Sequence, residues 1–351
     1  MLVSGPMPAD PHEAIAAISE RLPPGLTVRE HRPADLAAEV DFQNRYGRPA
    51  ERRALSDIER WESLADPKEV RLRLVLESGG ALAGVAGTGD GGKWRPPDGA
   101  WSIGMRLDDP WKRQGIGTIL AASLERLARE SGAPALNAGL RGDEPAGIAF
   151  AQGRGYVEFH RRQSSYLDLV AFEASRYDDP DAVAARTGHR LASYAELVAD
   201  APDGEGLHRR IHVLHNAAWV DVPTPEIPAP PSFEDFGRFI FDSPTFEPRA
   251  TTFALRGDDL VGLTLADVNG SGIGYTFMTG VRRDARGNGL SLAMKLRAIA
   301  ILKKRGVGLF GTTNDEGNLP MLSVNRKLGY VPEPPSIRMK KPLSGADRPI
   351  A

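Results

Sequence analysis

The chain has 351 residues, of which 41% are hydrophobic and 26% are charged, and its formal net charge at pH 7 is -2. This composition is typical of a folded globular protein, and it argues against disorder, a collagen-like repeat and a basic surface for nucleic acid. The sequence contains no cysteine, which excludes disulfides, thiolate metal sites and a cysteine nucleophile.

No apolar run approaches the ~20 residues that span a bilayer, so we expect no membrane partner. The N-terminus lacks a basic start followed by an apolar core, which argues against a signal peptide and favours a cytoplasmic protein. At ~100–200 residues per domain, the length favours two domains.

The first half is predicted to contain one strand, two helices, three strands, a helix, a strand, a helix and a final pair of strands. These elements lie, in that order, at residues 26–31, 34–47, 56–66, 70–78, 81–87, 100–107, 116–132, 134–140, 145–155, 156–162 and 164–169.

The second half follows a similar order. After a segment at residues 190–198, its helices and strands are predicted at 206–219, 232–241, 251–257, 260–268, 274–281, 290–306, 308–314, 319–329 and 336–341. Strands clustered before and after a central helix predict an α/β fold, with a mixed α+β sheet and helices on its faces.

Two landmarks repeat at one spacing. Gly289 follows Gly115 by 174 residues, and Gly329-Tyr330 follows Gly155-Tyr156 by the same 174 residues. A constant offset with no net insertion predicts that the chain contains two copies of one domain.

The expected boundaries follow from this duplication. We predict an N-terminal helical extension at 1–24, a first domain at 25–172, a connecting segment at 173–190 and a second domain at 191–351. The proline-rich segment 220–236 lies between two helices of the second copy, and we interpret it as an extended loop within that domain.

Each copy places a small-residue turn between a strand and a helix, at Lys112–Gly117 and at Arg286–Ser291. The first turn of a helix has unpaired N–H groups and the positive end of the helix dipole, which together form an anion site. A Walker A loop is excluded because neither turn has the Lys-Ser/Thr pair, and a dinucleotide fingerprint is excluded because Leu120 and Leu292 replace its third glycine.

Both turns resemble the pyrophosphate loop of the GNAT superfamily of N-acetyltransferases, patterned Gln/Arg-x-x-Gly-x-Gly/Ala. The first copy has Lys112, Gly115 and Gly117 at these positions, and the second has Arg286, Gly289 and Ser291. The segment 314–330 also looks like the family's fifth strand and fourth helix. The likeness covers about residues 25–345 and is greatest to tandem two-domain members, with mycothiol synthase as a distant relative.

The resemblance implies two tandem acyl-CoA N-acyltransferase domains that use acetyl-CoA. The implied cofactor-binding residues are Leu107, Lys112, Arg113, Gln114, Gly115, Ile116, Gly117, Thr118, Thr279, Gly280, Val281, Arg286, Gly287, Asn288, Gly289, Leu290, Ser291, Asn314, Asn318 and Asn325. In this family the fourth strand diverges from the fifth, and main-chain groups exposed between them bind pantetheine.

Direct transfer needs a neutral amine, whereas a free ammonium with a pKa near ~10 is mostly protonated at pH 7, so a general base is expected. Asp267 is one candidate, Asp90 and the terminal carboxylate of Ala351 are others, and Asp267 and Asp90 are also read as turn residues. Many members have a Tyr that protonates the departing thiolate, but this sequence has Ala151 and Asn325 there. We include Asn325 among the candidate catalytic residues.

Glu205, His208, His212 and His215 lie on roughly one face of a predicted helix. This spacing permits a metal site, but no ligand from another element is evident, so we favour a cleft-lining or solvated face and expect no metal. Trp219 and the segment 221–223 follow, near where acceptors enter in this family.

The sequence therefore predicts an acetyl-CoA-dependent N-acetyltransferase that acts on a small-molecule primary amine, with the second domain as the catalytic one. The alternative is a non-catalytic acyl-CoA sensor or small-molecule-sequestering protein, because the loops depart from the family pattern. The oligomeric state is left open between monomer and homodimer.

Overall fold

The structure is a computed structural model that describes residues 9–201, 203–223 and 229–343. Within this part of the chain, no helix has the length and apolar character needed to cross a membrane.

The elements up to residue 168 are α1 (Pro11–Ser19), β1 (Thr27–Glu30), α2 (Leu36–Tyr46), α3 (Leu55–Ser63), β2 (Arg71–Ser78), β3 (Ala81–Gly89), β4 (Trp101–Leu107), α4 (Ile116–Glu130), β5 (Ala135–Arg141), α5 (Pro145–Gly153) and β6 (Val157–Asp168).

The later elements are α6 (Pro180–Ala185), β7 (Arg190–Ser193), α7 (Tyr194–Asp200), α8 (Gly204–Trp219), α9 (Phe233–Phe236), β8 (Thr252–Arg256), β9 (Asp259–Val268), β10 (Gly274–Val281), α10 (Leu290–Lys304), β11 (Leu309–Asp315), α11 (Leu319–Lys327), β12 (Val331–Pro332) and β13 (Ser336–Pro342).

Two compact units divide the chain. The first unit contains residues 9–47, 55–161 and 336–343, and the second contains 48–54 and 162–335 with the gaps noted above. They differ from the predicted contiguous ranges because β13, near the end of the chain, pairs with β5 from Ser336 to Pro342. Strand pairing between distant segments is not visible in local sequence patterns.

The sheet of the first unit has the order β1-β2-β3-β4-β5-β13. Its neighbours are antiparallel except for β4 and β5, which are parallel. Helix α4 buries Ile116, Leu120 and Leu124 in the core of this unit. Helix α1 adds Ala14 and Ile18 to the same core, so the predicted N-terminal extension contributes to the first unit.

The sheet of the second unit has the order β6-β11-β10-β9-β8-β7, and β12 pairs with β6. Here β10 and β11 form the parallel pair. Helix α10 packs on one face of the sheet through residues such as Leu296 and Ile299, and α8 packs on the other through residues such as Ile211 and Leu214.

The duplication is visible in the elements themselves. α4, β5 and α5 are followed after 174 residues by α10, β11 and α11, with identical lengths. The mixed α/β fold predicted from the sequence is confirmed in both units.

Two local predictions need correction. The expected pair of strands at 156–162 and 164–169 is wrong, because β6 continues through Gln163 as one strand that pairs with β11 along residues 162–168. The expected connecting segment at 173–190 contains helix α6, whose contact with α10 gives it a place in the second unit. Residues 224–228 of the proline-rich loop lie outside the described residues.

Candidate functional site

Each sheet has an opening between its two parallel strands. β4 pairs with β5 only from Trp101 to Ile103, and β10 pairs with β11 only at Gly274 and Tyr275. Beyond these residues β4 and β10 remain paired on one side only, with β3 and β9. We call the two gaps the β4–β5 opening and the β10–β11 opening.

A β-bulge distinguishes the second opening from the first. The register of β10 against β9 shifts between Thr276 and Met278, so Phe277 is an extra residue, whereas β4 pairs with β3 without a shift. A bulge interrupts the ladder and leaves main-chain groups unpaired. The ring of Phe277 is 41% exposed.

The turn after each opening has the geometry that its small residues predict. Gly115 and Gly289 are the N-caps of α4 and α10, with φ of 81° and 73° in the left-handed region. Gly287 has φ of 81°, and the equivalent Arg113 takes φ of 63° despite its side chain. These conformations turn the chain sharply into the helix.

Both turns present main-chain donors. Among the described residues, the N–H groups of 113–117 and of 287–291 find no acceptor. A Cβ atom built on Gly115 or Gly287 would meet nothing within 4 Å, so the surface around these donors is open. Unpaired N–H groups at a helix N-terminus fit an anion such as a diphosphate.

Arg286, one of the implied cofactor-binding residues, has protein partners. Its Nε donates to the carbonyl oxygen of Val281 at 2.9 Å, and its guanidinium and that of Arg283 both pair with Asp221 at the end of α8. Hydrogen bonds from the two arginines lower the pKa of Asp221 to about 2. An anion at this turn would therefore compete with Asp221 for Arg283 and Arg286.

In the first unit, the cation of the turn is also engaged. Lys112 Nζ lies 2.6 Å from Asp109 and 5.0 Å from the ring centre of Tyr46, at the end of α2. Gln114 donates to the carbonyl oxygen of Pro110 at 2.6 Å.

Side chains cross the β4–β5 opening. Arg106, on the diverging part of β4, pairs with Glu144 at the start of α5, at 3.3 Å. Tyr46 bonds to Asp108 through its hydroxyl, and its carbonyl oxygen accepts a bond from Arg141 at 2.9 Å. In the second unit, Arg106 is replaced by Gly280, and a Cβ there would come within 2.4 Å of Ala218 on α8.

Three of the four predicted asparagines lie on β11, at the N-cap of α11 and within α11, and they have different environments. Asn325 is 2% exposed, and its Nδ2 donates to Asn314 Oδ1 at 2.7 Å, which links α11 to the far side of the β10–β11 opening. Asn318 instead caps α11, since its side chain accepts from the N–H of Met321 at 3.3 Å. In the first unit, the position of Asn325 is held by the buried Ala151.

Two groups beside β10 are able to act as a base, the predicted Asp267 on β9 and His215 on α8. Asp267 lies opposite Tyr275 in the β9–β10 pair, at the closed end of the opening. His215 on α8 is 0% exposed, and its ring centre lies 6.3 Å from that of Phe277, at the bulge. Burial lowers the pKa of His215 to about 4, so the imidazole is neutral at pH 7.

The histidines do not form a solvated face. His215 is enclosed by the rings of Trp219, Phe236 and Phe277, and its Nδ1 lies 3.0 Å from Asn216 Oδ1. Its Nε2 has no partner in the part of the chain that the structure describes. No three His, Asp or Glu side chains in that part come together as a metal site.

The remaining predicted residues lie where the resemblance implies. The end of β4 is Leu107, and the end of β10 is formed by Thr279, Gly280 and Val281. Helix α4 begins with Ile116, Gly117 and Thr118, and helix α10 begins with Leu290 and Ser291. Asn288 donates from its side chain to the carbonyl oxygen of Ala285, within the turn. The proposed carboxylate of Ala351 lies outside the described residues. Their roles in binding stay predictions.

Sequence reasoning missed the bulge at Phe277 and the buried Lys295, which has 0% exposure on α10. A polar residue at a core position of an apolar helix was a usable indication for Lys295, since lysine is almost never fully buried without a partner. The bulge depends on the pairing of β9 with β10, which no local pattern in the sequence reports.

Comparison with known proteins supports the resemblance. Residues 36–156 match the model of a family described as Acetyltransferase (GNAT) family. No curated protein matches the sequence.

Several solved structures have the same fold. A GCN5-related N-acetyltransferase from Sphaerobacter thermophilus is 18% identical, with a TM-score of 0.69 over 93% of this chain and 99% of that one. A tandem GNAT protein from the clavulanic acid biosynthesis pathway is 21% identical, with a TM-score of 0.66 over 92% of this chain and 100% of that one. These identities show a shared fold; the expected relation to mycothiol synthase stays a prediction.

The family match lies mainly in the first unit, and the likeness to the tandem structures extends over both. On this evidence residues 36–156 are similar to the acetyltransferase (GNAT) family, and the chain shares the fold of tandem GNAT proteins.

Proposed function

We propose that the second unit binds acetyl-CoA in the β10–β11 opening and transfers its acetyl group to a primary amine of a small molecule. The bulge at Phe277 carries this proposal, because it frees main-chain groups of β10 beside the opening. The first unit has no such bulge, and the Arg106–Glu144 pair crosses its opening.

Binding follows from the groups on either side of the opening. The N–H groups of residues 287–291 and the dipole of α10 hold the diphosphate of CoA. The end of β10, from Thr279 to Val281, offers main-chain groups to the amides of pantetheine, and the Asn314–Asn325 pair faces it from the other side. The first unit's turn has the same geometry, so it is a second CoA site without turnover.

Transfer is a direct attack. The amine nitrogen forms a bond to the thioester carbon, the C–S bond breaks, and a main-chain N–H at the bulge stabilises the oxyanion. The attacking nitrogen must lose a proton, and either His215 or Asp267 accepts it, since both lie on the face of β10 toward α8. His215 is neutral at pH 7, so its imidazole is able to take up this proton.

The experiment measures CoA release with a panel of amines, aminoglycosides and amino-sugar thiols. We expect release with at least one primary amine, a loss of more than ~10²-fold in H215F, and a smaller loss in D267N. CoA binding without release on any member of the panel would contradict acyl transfer, and an unchanged rate in both variants would contradict both assignments of the base.

The second candidate is a non-catalytic acyl-CoA sensor or sequestering protein. The specific observation in its favour is Asn325, which stands where many relatives have a tyrosine acid and which cannot donate a proton to a thiolate. The same release assay separates the two functions. A cytoplasmic location and the absence of metal and nucleic-acid partners stay predictions.

A further inference from the structure

Four polar atoms lie together in the core of the second unit, on the face of the sheet toward α10. Lys295 Nζ, Tyr330 Oη, Thr276 Oγ1 and Asn325 Oδ1 are all buried, and none has a well-formed hydrogen bond within residues 9–201, 203–223 and 229–343. We call these four residues the Lys295 cluster.

The members of the Lys295 cluster contact one another. Lys295 Nζ lies 4.8 Å from the ring centre of Tyr330 and 6.0 Å from that of Phe310. The hydroxyl of Tyr330 lies beside Thr276, and its main-chain N–H donates to the carbonyl oxygen of Asn325 at 3.0 Å. The cluster thus joins α10, β10 and the end of α11.

The first unit shows that the fold does not need such a cluster. Ala121 and Ala151 take the places of Lys295 and Asn325, and the hydroxyl of Tyr156, the equivalent of Tyr330, bonds to Glu125 at 3.3 Å. Unpartnered buried polar groups destabilise a core, so a cluster of four that is absent from the equivalent positions of the first unit points to a use other than packing.

The cluster reaches the β10–β11 opening from both sides. Thr276 is the residue immediately before the bulge on β10, and Asn325 bonds to Asn314 on β11. It therefore lies beneath the part of the opening where the proposed function requires the thioester. Asn325 also occupies the position from which a tyrosine protonates the thiolate in many relatives.

We propose that Lys295 supplies the proton that the departing CoA thiolate takes up, acting through the polar atoms of Thr276, Tyr330 and Asn325. This inference rests on the proposed function. The amine nitrogen bonds to the acyl carbon, the C–S bond breaks with its electron pair on sulfur, and sulfur receives a proton from the Lys295 ammonium. The base of the proposed function takes the proton of the amine nitrogen and releases it to solvent, and solvent returns a proton to Lys295, so the products are the amide and the CoA thiol.

The charge state of Lys295 suits this role. Burial lowers its pKa to about 7, close to the ~8.5 of a free thiol, so proton exchange between them is nearly balanced. Phe310 faces it from β11 and Tyr330 from the segment after α11, and burial raises the pKa of Tyr330, which stays neutral. Asp267 and Tyr275 lie on the opposite face of the sheet.

The test measures the thiol pKa of bound CoA from thiolate absorbance, so it needs no acceptor. In the wild-type protein, Lys295 and the thiol should titrate as a coupled pair, so part of the thiolate absorbance should shift to near pH ~7, below the ~8.5 of a free thiol. K295M should abolish the shift while leaving the dissociation constant of CoA within about 2-fold. K303M is the matched control on the same helix, because Lys303 lies away from the cluster and donates, within the described residues, to the carbonyl oxygens of Val170 and Phe172.

The second variant is Y330F, which removes one hydroxyl of the cluster and is used if K295M does not fold. It should reduce the shift in the thiol titration of bound CoA. Once an acceptor is known, K295M should also lower kcat by ~10²-fold and remove the fall in kcat above pH ~7. An unshifted thiol pKa in wild-type protein whose CoA binding depends on Gly289 would overturn this inference alone. CoA binding that G289E leaves unchanged would overturn the proposed function as well.

Discussion

The two units have the same element order at a 174-residue offset, but they differ in the buried polar groups of their matching helices. These groups are paired on α4 and, within the described residues, unpartnered on α10. In the first unit, Glu125 on α4 is held by Arg154 at 2.9 Å, Lys341 at 2.8 Å and the hydroxyl of Tyr156. In the second unit, the equivalent of Glu125 is the apolar Ile299, and Lys295 and its neighbours have no such partners.

The strands that border the two openings show the same contrast between paired and unpaired groups. β4 runs without interruption, and Arg106 pairs with Glu144 across its opening, whereas β10 bulges at Phe277 and has Gly280 in place of Arg106. Paired polar groups and regular ladders stabilise, while unpaired groups and bulges are typical of functional sites. The first unit therefore has the paired groups of a stable core, and the second has the features expected of the catalytic unit that we propose.

The largest effect is expected from E125A in the first unit. Removing the buried carboxylate leaves Arg154 and Lys341 without their partner, and we expect the free energy of unfolding to fall by about 3–5 kcal/mol. Urea denaturation measures it. E158A is the control, since the Glu158–Arg161 pair is exposed and should change stability by less than ~0.5 kcal/mol. Equal losses of unfolding free energy in E125A and E158A would show that the buried carboxylate stabilises the first unit no more than an exposed one.

Lys295 should make the free energy of unfolding increase as the pH rises above neutral. Its folded pKa of about 7 lies below the unfolded value of ~10.4, so between these values the unfolded chain binds the extra proton and stability rises with pH. At pH 7, K295M should be more stable than wild type by a difference on the order of 4 kcal/mol, and the gap should close by pH 10. Parallel curves for the two proteins would show that Lys295 is charged in the folded state.

His215 should make the free energy of unfolding decrease as the pH falls into the acidic range. Its folded pKa of about 4 lies below the usual 6.5, so as pH falls from 6.5 to 4 only the unfolded chain gains the proton, and the folded state loses stability. The expected loss is about 3 kcal/mol in wild type, measured by denaturation at several pH values, and it should be absent in H215F. Persistence of this slope in H215F would assign it to another group.

The smallest effect is expected at Asp221. D221N releases Arg283 and Arg286, so the affinity for CoA should rise about 3-fold, which corresponds to less than ~1 kcal/mol for an exposed ion pair. Isothermal titration calorimetry measures it. D284N, which removes the partner of Arg282 and Arg256 on the same turn, is the control for net charge. An equal gain in both variants would mean that Asp221 does not hold the arginines against the anion.

The sequence predicted the features that are local. The offset between Gly115 and Gly289, the caps of α4 and α10 and most helices follow from periodicity and small residues, and the structure has them. The features that depend on distant pairing were not predictable: β13 completes the first unit's sheet, and the bulge at Phe277 depends on the register with β9. His215 was predicted on a cleft-lining or solvated face, whereas it is buried, because its burial depends on packing against α9 and β10.

The central claim is that the second unit performs the transfer, and the two capping glycines test it as a matched pair. Glutamate at either position puts a carboxylate against the diphosphate, and both glycines have positive φ. With an amine from the panel that supports CoA release, G289E should lower kcat/KM by more than ~10²-fold and G115E by less than ~3-fold, because charge-assisted hydrogen bonds contribute ~1.5–3 kcal/mol each. A large loss in G115E with little change in G289E would assign the transfer to the first unit and contradict the account.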